Sequence, residues 1–102
     1  MKHRLELDRI IKELCPGVAV YFQPPSGEHM EYPCIRYEFD GNTDTYADNK
    51  KYMSKETYKI TVMDRKPTSK IPDQIASLDR AKLISHYCSG GITHDMFTIT
   101  FN

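Results

Sequence analysis

Apolar residues near the start of the chain recur with a helical period. In "HRLELDRIIKELC", Leu7, Ile10, Ile11 and Leu14 stand at i, i+3, i+4 and i+7, one stripe of a helix. Arg4, Glu6, Asp8, Arg9, Lys12 and Glu13 fall mostly on the other side. Pro16 and Gly17 end the helix, because a residue ahead of proline disfavours helical backbone angles. The period then drops to two, the signature of strands. Val18, Val20 and Phe22 share a face in "GVAVYFQ", and "PPSGEH" reads as a turn or loop. In "CIRYEFD", Ile35, Tyr37 and Phe39 oppose Arg36 and Glu38. In "KETYKITVMD", Tyr58, Ile60 and Val62 oppose Thr57, Lys59 and Thr61. Between these two strands, "DGNTDTYADNKK" is polar without a period and is expected to be an exposed loop.

A second helix is predicted in "KPTSKIPDQIASLDR". Pro72 suits the first helical position, Asp73 complements the dipole of the first turn, and Ile71, Ile75 and Leu78 form the buried stripe. "KLISHYC" reads as a short strand, "SGGI" as a Gly-rich turn and "DMFTITFN" as the last strand. In that strand Phe97, Ile99 and Phe101 oppose Met96, Thr98 and Thr100. The order is α-β-β-β-α-β-β, without repeats or linkers. It predicts one α+β domain over residues 1–102, an antiparallel or mixed sheet with both helices packed on one face. The other face carries Arg36, Glu38, Lys59, Thr61, Thr98 and Thr100. Such a face is solvated, covered by a neighbouring subunit, or the lining of a wet channel.

Composition narrows the functional classes. A hydrophobic fraction of 39% and a charged fraction of 27% are globular, and seven Tyr with four Phe fill a small core without Trp. Fourteen basic residues balance 14 acidic ones, so the basic excess that a phosphate-backbone binder needs is missing. Near-zero net charge also removes a barrier to self-association. Cys15, Cys34 and Cys88 form no CxxC pair, which fits reduced thiols rather than a zinc or redox framework. No apolar run approaches a signal peptide core or a membrane span.

Candidate chemistry is sparse. "LISHYCSGGITHDMFTITFN" brings His86, Cys88, His94 and Asp95 close in sequence. His86 and Cys88 share a face at i, i+2, but adjacent His94 and Asp95 must point to opposite faces, so only one can join them. Zinc wants three or four ligands, and the set stays incomplete. Asp40, Asn42 and Asp44 resemble the start of a calcium loop, yet Thr45 and Lys51 stand where that loop needs Gly and Glu. No nucleophile elbow, phosphate loop or dinucleotide fingerprint is present. Neither catalysis nor a cofactor nor a resident metal is expected.

The stretch "TYKITVMDRKPTSKIPDQIASL", followed by "HDMFTITF", resembles small tail-completion proteins of long-tailed bacteriophages and prophages, the tail terminators and tail-to-head joining proteins. The N-terminal helix and first strands also fit in order and length. The resemblance implies a small α/β fold with helices on one side of a sheet. It implies a ring, generally a hexamer, that ends growth of the tail tube and docks to the head. The implied partners are other copies of the chain, the tail tube protein and the head connector protein. Assembly would occur in the bacterial host cytoplasm and the product would sit in the virion tail, with no sequence-specific nucleic acid and no membrane. Expected subunit contacts are Arg36, Glu38 and Lys59 on the polar face, and Asp40, Asp44, Asp48, Lys50 and Lys51 in the loop. Alternatives are a head-closure or adaptor protein, another minor tail or capsid protein, or, more distantly, a metal-dependent hydrolase using His86, His94 and Asp95.

Overall fold

A computed structural model of the chain describes residues 2–24, 31–47 and 50–101, with backbone alone at 43–47 and 50–54. The expected elements are all present in the expected order. They are α1 (Arg4–Leu14), β1 (Ala19–Phe22), β2 (Cys34–Ala47), β3 (Lys50–Asp64), α2 (Ile71–Ala76), β4 (Lys82–Ser89) and β5 (Ile92–Phe101). The fold is α+β. Its five strands make one mixed sheet in the order β1-β2-β3-β5-β4. β1 runs parallel to β2, and every other neighbouring pair is antiparallel. Most of the "PPSGEH" connection lies outside the described residues.

The period-two residues build the core. Ile35, Tyr37, Tyr58, Ile60, Val62, Phe97 and Ile99 are buried on one sheet face, against Leu7 and Ile11 of α1 and Ile75 of α2. Leu14, Val18, Val20, Phe22, Ile71, Leu78 and Phe101 close its margins. Hydrophobic burial of this kind is the main favourable term for so small a domain. The turn between β4 and β5 places Gly90 and Gly91 at φ of 60° and 76°. Positive φ at both central positions is what a tight hairpin turn asks for and what side chains resist.

Two long-range polar ties seat α1. No local side chain caps its start at His3. Glu56 of β3 reaches across instead and accepts hydrogen bonds from the Lys2 amide at 2.7 Å, the His3 amide at 2.9 Å and the Tyr58 hydroxyl at 2.8 Å. The His3 ring stacks on Phe101, with 5.0 Å between centroids. Partial burial opposes the charge of Glu56, but the two amides and the Tyr58 hydroxyl outweigh it and pull its pKa down to about 2. One turn into the helix, Asp8 accepts from the Tyr37 hydroxyl at 2.8 Å and pairs with Lys12 at 2.8 Å. Burial and the Asp8 carboxylate together push the Tyr37 phenol up to about 12.

Two expectations need correction. The tract 40–51 is not a loop: β2 continues through Ala47 and β3 begins at Lys50, paired from Asn42↔Glu56 to Ala47↔Lys50 with one register shift between Thr45 and Tyr46. Asp40 is the extra residue of a bulge between Phe39 and Gly41, where Gly41 takes a φ of 145°. The "DG" step is therefore a kink within a strand. The predicted second helix also shrinks to Ile71–Ala76. The Ser77 hydroxyl donates to the Gln74 carbonyl at 2.6 Å, and the Ser77 amide turns back onto the last carbonyls, which closes the helix early.

The core and the Glu56 tie generate two predictions. Ile60→Ala should cost about 2–5 kcal/mol in chemical denaturation, whereas Ile84→Ala on exposed β4 should cost no more than about 0.5 kcal/mol. Glu56→Gln should cost about 1–2 kcal/mol near neutral pH. A carboxylate with a depressed folded pKa stabilises the fold above its ordinary value of 4.5, and loses that contribution as pH falls towards 2. Denaturation curves of the wild type and the variant should therefore converge between those two values.

Candidate interaction surface

The sheet face turned away from the helices is a grid set by strand register. One row runs Glu38, Lys59, Thr98 and Lys82 across β2, β3, β5 and β4. The next runs Tyr21, Arg36, Thr61, Met96 and Ser85, starting from β1. A third runs Ala19, Cys34, Met63, His94 and Tyr87. Opposite residues share a face, so the polar positions read from alternation lie together.

Glu38 and Lys59 stand directly opposite one another, with Arg36 two residues along β2. All three are half-buried. Beside them the Thr57 and Thr100 hydroxyls are 3.2 Å apart. Arg36 Nε is buried and has no hydrogen-bond acceptor among the described residues. A donor in that position loses its hydration without compensation, so an acceptor brought by another molecule would be favourable there.

The third row, outside the polar positions read from alternation, is largely apolar. Cys34 is fully buried and Met63 is 4% exposed, so this end of the face is closed. Burial first and the nearby Asp64 carboxylate second push the Cys34 thiol up to about 11, which suits an inert thiol. At its outer end Tyr87 stacks on His94, with 4.6 Å between centroids and planes 5° apart.

The remaining expected contact residues divide. Asp40 is exposed at the bulge. Asp44 pairs in register with Ser54, Lys51 with Tyr46 and Lys50 with Ala47, while Asp48 lies outside the described residues. Asp44, Lys50 and Lys51 belong to a two-stranded ribbon, not to the grid. β1 pairs with β2 only from Cys34 to Tyr37, and β5 pairs with β3 only from Glu56 to Asp64. Past those limits β2 and β3 have only each other as sheet partners. Fifteen residues of β3 span about 50 Å at roughly 3.4 Å each, in keeping with the 51 Å long axis of the molecule.

The β4–β5 hairpin sorts its chemistry onto two faces. His86 Nδ1 hydrogen-bonds Asp95 Oδ1 on the helix side, where Asp95 is buried and His86 remains exposed. His94 points the other way, and its Nδ1 donates to the Ile92 carbonyl at 3.0 Å. Cys88 is exposed, opposite Thr93. The structure thus joins Asp95 to His86 and leaves His94 apart. Among the described residues no group of three or more His, Cys, Asp or Glu side chains is arranged to hold a metal ion, and no helix is long and apolar enough to cross a membrane.

Alternation alone did not reveal the Arg36 orphan, the Tyr87–His94 stack or the exposure of Leu83, Ile84 and Tyr87 on β4. A signal for the last existed: "KLISHYC" never settles into an apolar and a polar side. No protein-family model matches the chain, and no curated protein matches it.

Because Glu38 faces Lys59 across the ladder, Glu38→Lys should cost up to about 1 kcal/mol through like-charge opposition. The exchange Glu38→Lys with Lys59→Glu should recover most of that loss in urea denaturation.

Proposed function

We propose that the chain is a structural assembly subunit that makes and breaks no bond. In this reading it forms a ring at the head-proximal end of a phage tail tube, stops tube growth and presents the docking surface for the head connector. Its partners are its own copies, the tail tube protein and the connector, and its place is the virion tail. The resemblance of "TYKITVMDRKPTSKIPDQIASL" and "HDMFTITF" to tail-completion proteins motivates it. The one-sided helical layer over a sheet agrees with the fold that resemblance implies.

The observation that carries the proposal is the β2–β3 ribbon. Beyond Asn42 and Glu56 it runs on as two strands alone. A two-stranded ribbon in water is at best marginally stable, so one this long is best explained by a neighbour that supports it. Asp44, Lys50 and Lys51 lie on it and would set the register of that contact. The mixed charges of Arg36, Glu38 and Lys59 offer a second patch of the same kind. Balanced charge over the whole chain favours association with its own kind over a phosphate backbone.

Native mass spectrometry of the purified chain, alone and with polymerising tail tube protein from the same genome, tests this. The expected result is a closed ring of one defined size, together with tubes whose growth halts when the chain is added. A chain that neither self-associates nor binds tubes contradicts it. Replacing Thr43–Lys55 with a two-residue Asn-Gly turn should abolish the ring while leaving the thermal midpoint of the monomer within a few degrees, since that stretch lies beyond the part of β3 that pairs with β5.

A further inference from the structure

Among the described residues neither outer strand of the sheet, β1 or β4, pairs with a second strand, and their directions match. β4 is an outer strand of eight residues, and β1 is the outer strand at the other end. Exposed edge strands invite pairing with another chain, and proteins usually blunt them with charges, prolines, bulges or a covering helix. On β4 such devices sit only at its start, where Lys82 begins the strand and Ile84 is the extra residue of a bulge between Leu83 and Ser85. From Ser85 to Ser89 the strand is regular and seven of its eight residues overall are exposed. β1 offers four residues, Ala19–Phe22, a comparable length.

Large exposed apolar side chains stand on β4 and on α1. Among the described residues they are Leu83, Ile84 and Tyr87, at 52, 47 and 44%, and Leu5, at 73%. The first three are all on β4. Leu5 belongs to the opposite side of the molecule. The β5 flank of α1 is marked by His3 stacked on Phe101. The β1 flank is marked by the Arg4 guanidinium, 4.3 Å from the Phe22 ring centroid, and by Asp8 on Tyr37. Leu5 follows Arg4 and lies within about 60° of Asp8 around the helix, on the outer side of that β1 flank.

Strand direction fixes how two copies could meet. β1 runs with β2, β3 against it, β5 with it and β4 against it. A copy displaced sideways therefore brings its β1 alongside β4 in antiparallel sense, with both helical layers on one side of the joined sheet. Its α1 then comes beside the helix-side residues of β4 that α1 and α2 of the same chain leave exposed, Leu83, His86 and Cys88.

We infer that the regular part of β4 in one copy pairs antiparallel with β1 of the next, with Leu5 of the second copy packing over the Leu83 end of the first. Every copy carries one donor edge and one acceptor edge, so the contact is head-to-tail and closes into a ring when the rotation permits. This inference rests on the ring reading above and adds a second contact between neighbouring copies to the one proposed for the ribbon.

Two variants read by native mass spectrometry and sedimentation test it. Ile84→Lys with Tyr87→Lys spoils the β4 edge, and Leu5→Lys with Ala19→Lys spoils the β1 edge. Each alone should weaken self-association by about thirtyfold or more, as expected for loss of a buried apolar anchor. Mixed in equal amounts they should form a dimer and stop, because one intact β4 meets one intact β1. That dimer also shows that both variants are folded. A ring that persists in either variant overturns the inference and leaves the ring reading standing. Self-association of the β1-edge variant through β4 alone, with no gain on mixing, overturns it in favour of a two-fold β4 contact. A wild-type chain that is monomeric in solution and on tail tubes overturns both.

Discussion

Two short helices have to cover a five-stranded sheet, and they cannot. α1 has 11 residues and α2 has six, giving lengths of about 16 and 9 Å at 1.5 Å per residue. Five strands set about 4.8 Å apart span roughly 19 Å, and β2 and β3 run far beyond the helical layer. The helices protect the middle of β2, β3 and β5, where Tyr37, Tyr58, Ile60 and Phe97 lie buried. What they leave open is β4, the outward sheet face and the ribbon. The surfaces proposed for assembly are among those left open.

The partial cover makes the seating of α1 decisive. Its buried residues, Leu7 and Ile11, meet the sheet along one stripe and would tolerate sliding along their own axis. Glu56 at one end and the Asp8–Tyr37 pair a turn further on remove that freedom. Both ties are charge-assisted hydrogen bonds in partly sheltered positions, stronger than neutral ones. They also hold Arg4 over Phe22 and so fix where Leu5 emerges beside β1. The placement of the outer apolar surface thus depends on polar contacts near the core.

Much of the fold was legible because the core residues obey a period. Tyr58, Ile60 and Val62 alternate without interruption, and Leu7 and Ile11 sit one helical turn apart. The 40–51 tract was misread because it has no apolar alternation; its strands are defined by backbone pairing, which polar side chains do not advertise. The second helix was overextended because Ser77 ends it by a local side-chain hydrogen bond, which the stripe of Ile71, Ile75 and Leu78 does not register. For the surface, Arg36, Glu38 and Lys59 were legible as sharing one face. The Glu56 contacts, 53 and 54 residues apart in the chain, were not, since no local pattern encodes them. In the hairpin the opposed directions of His94 and Asp95 followed from adjacency alone, and the His86–Asp95 pair needed the strand register.

The central claim is that the uncovered edges and the ribbon are surfaces held in reserve for neighbouring copies. Hydrogen exchange of backbone amides, followed from dilute monomer to assembled protein, tests it most directly. The account predicts slower exchange in β4, in β1 and in the ribbon past Asn42 on assembly. The centre of β3 from Tyr58 to Val62, protected already, should change little. Exchange in β4 and the ribbon that stays as fast in the assembly as in the monomer would contradict it.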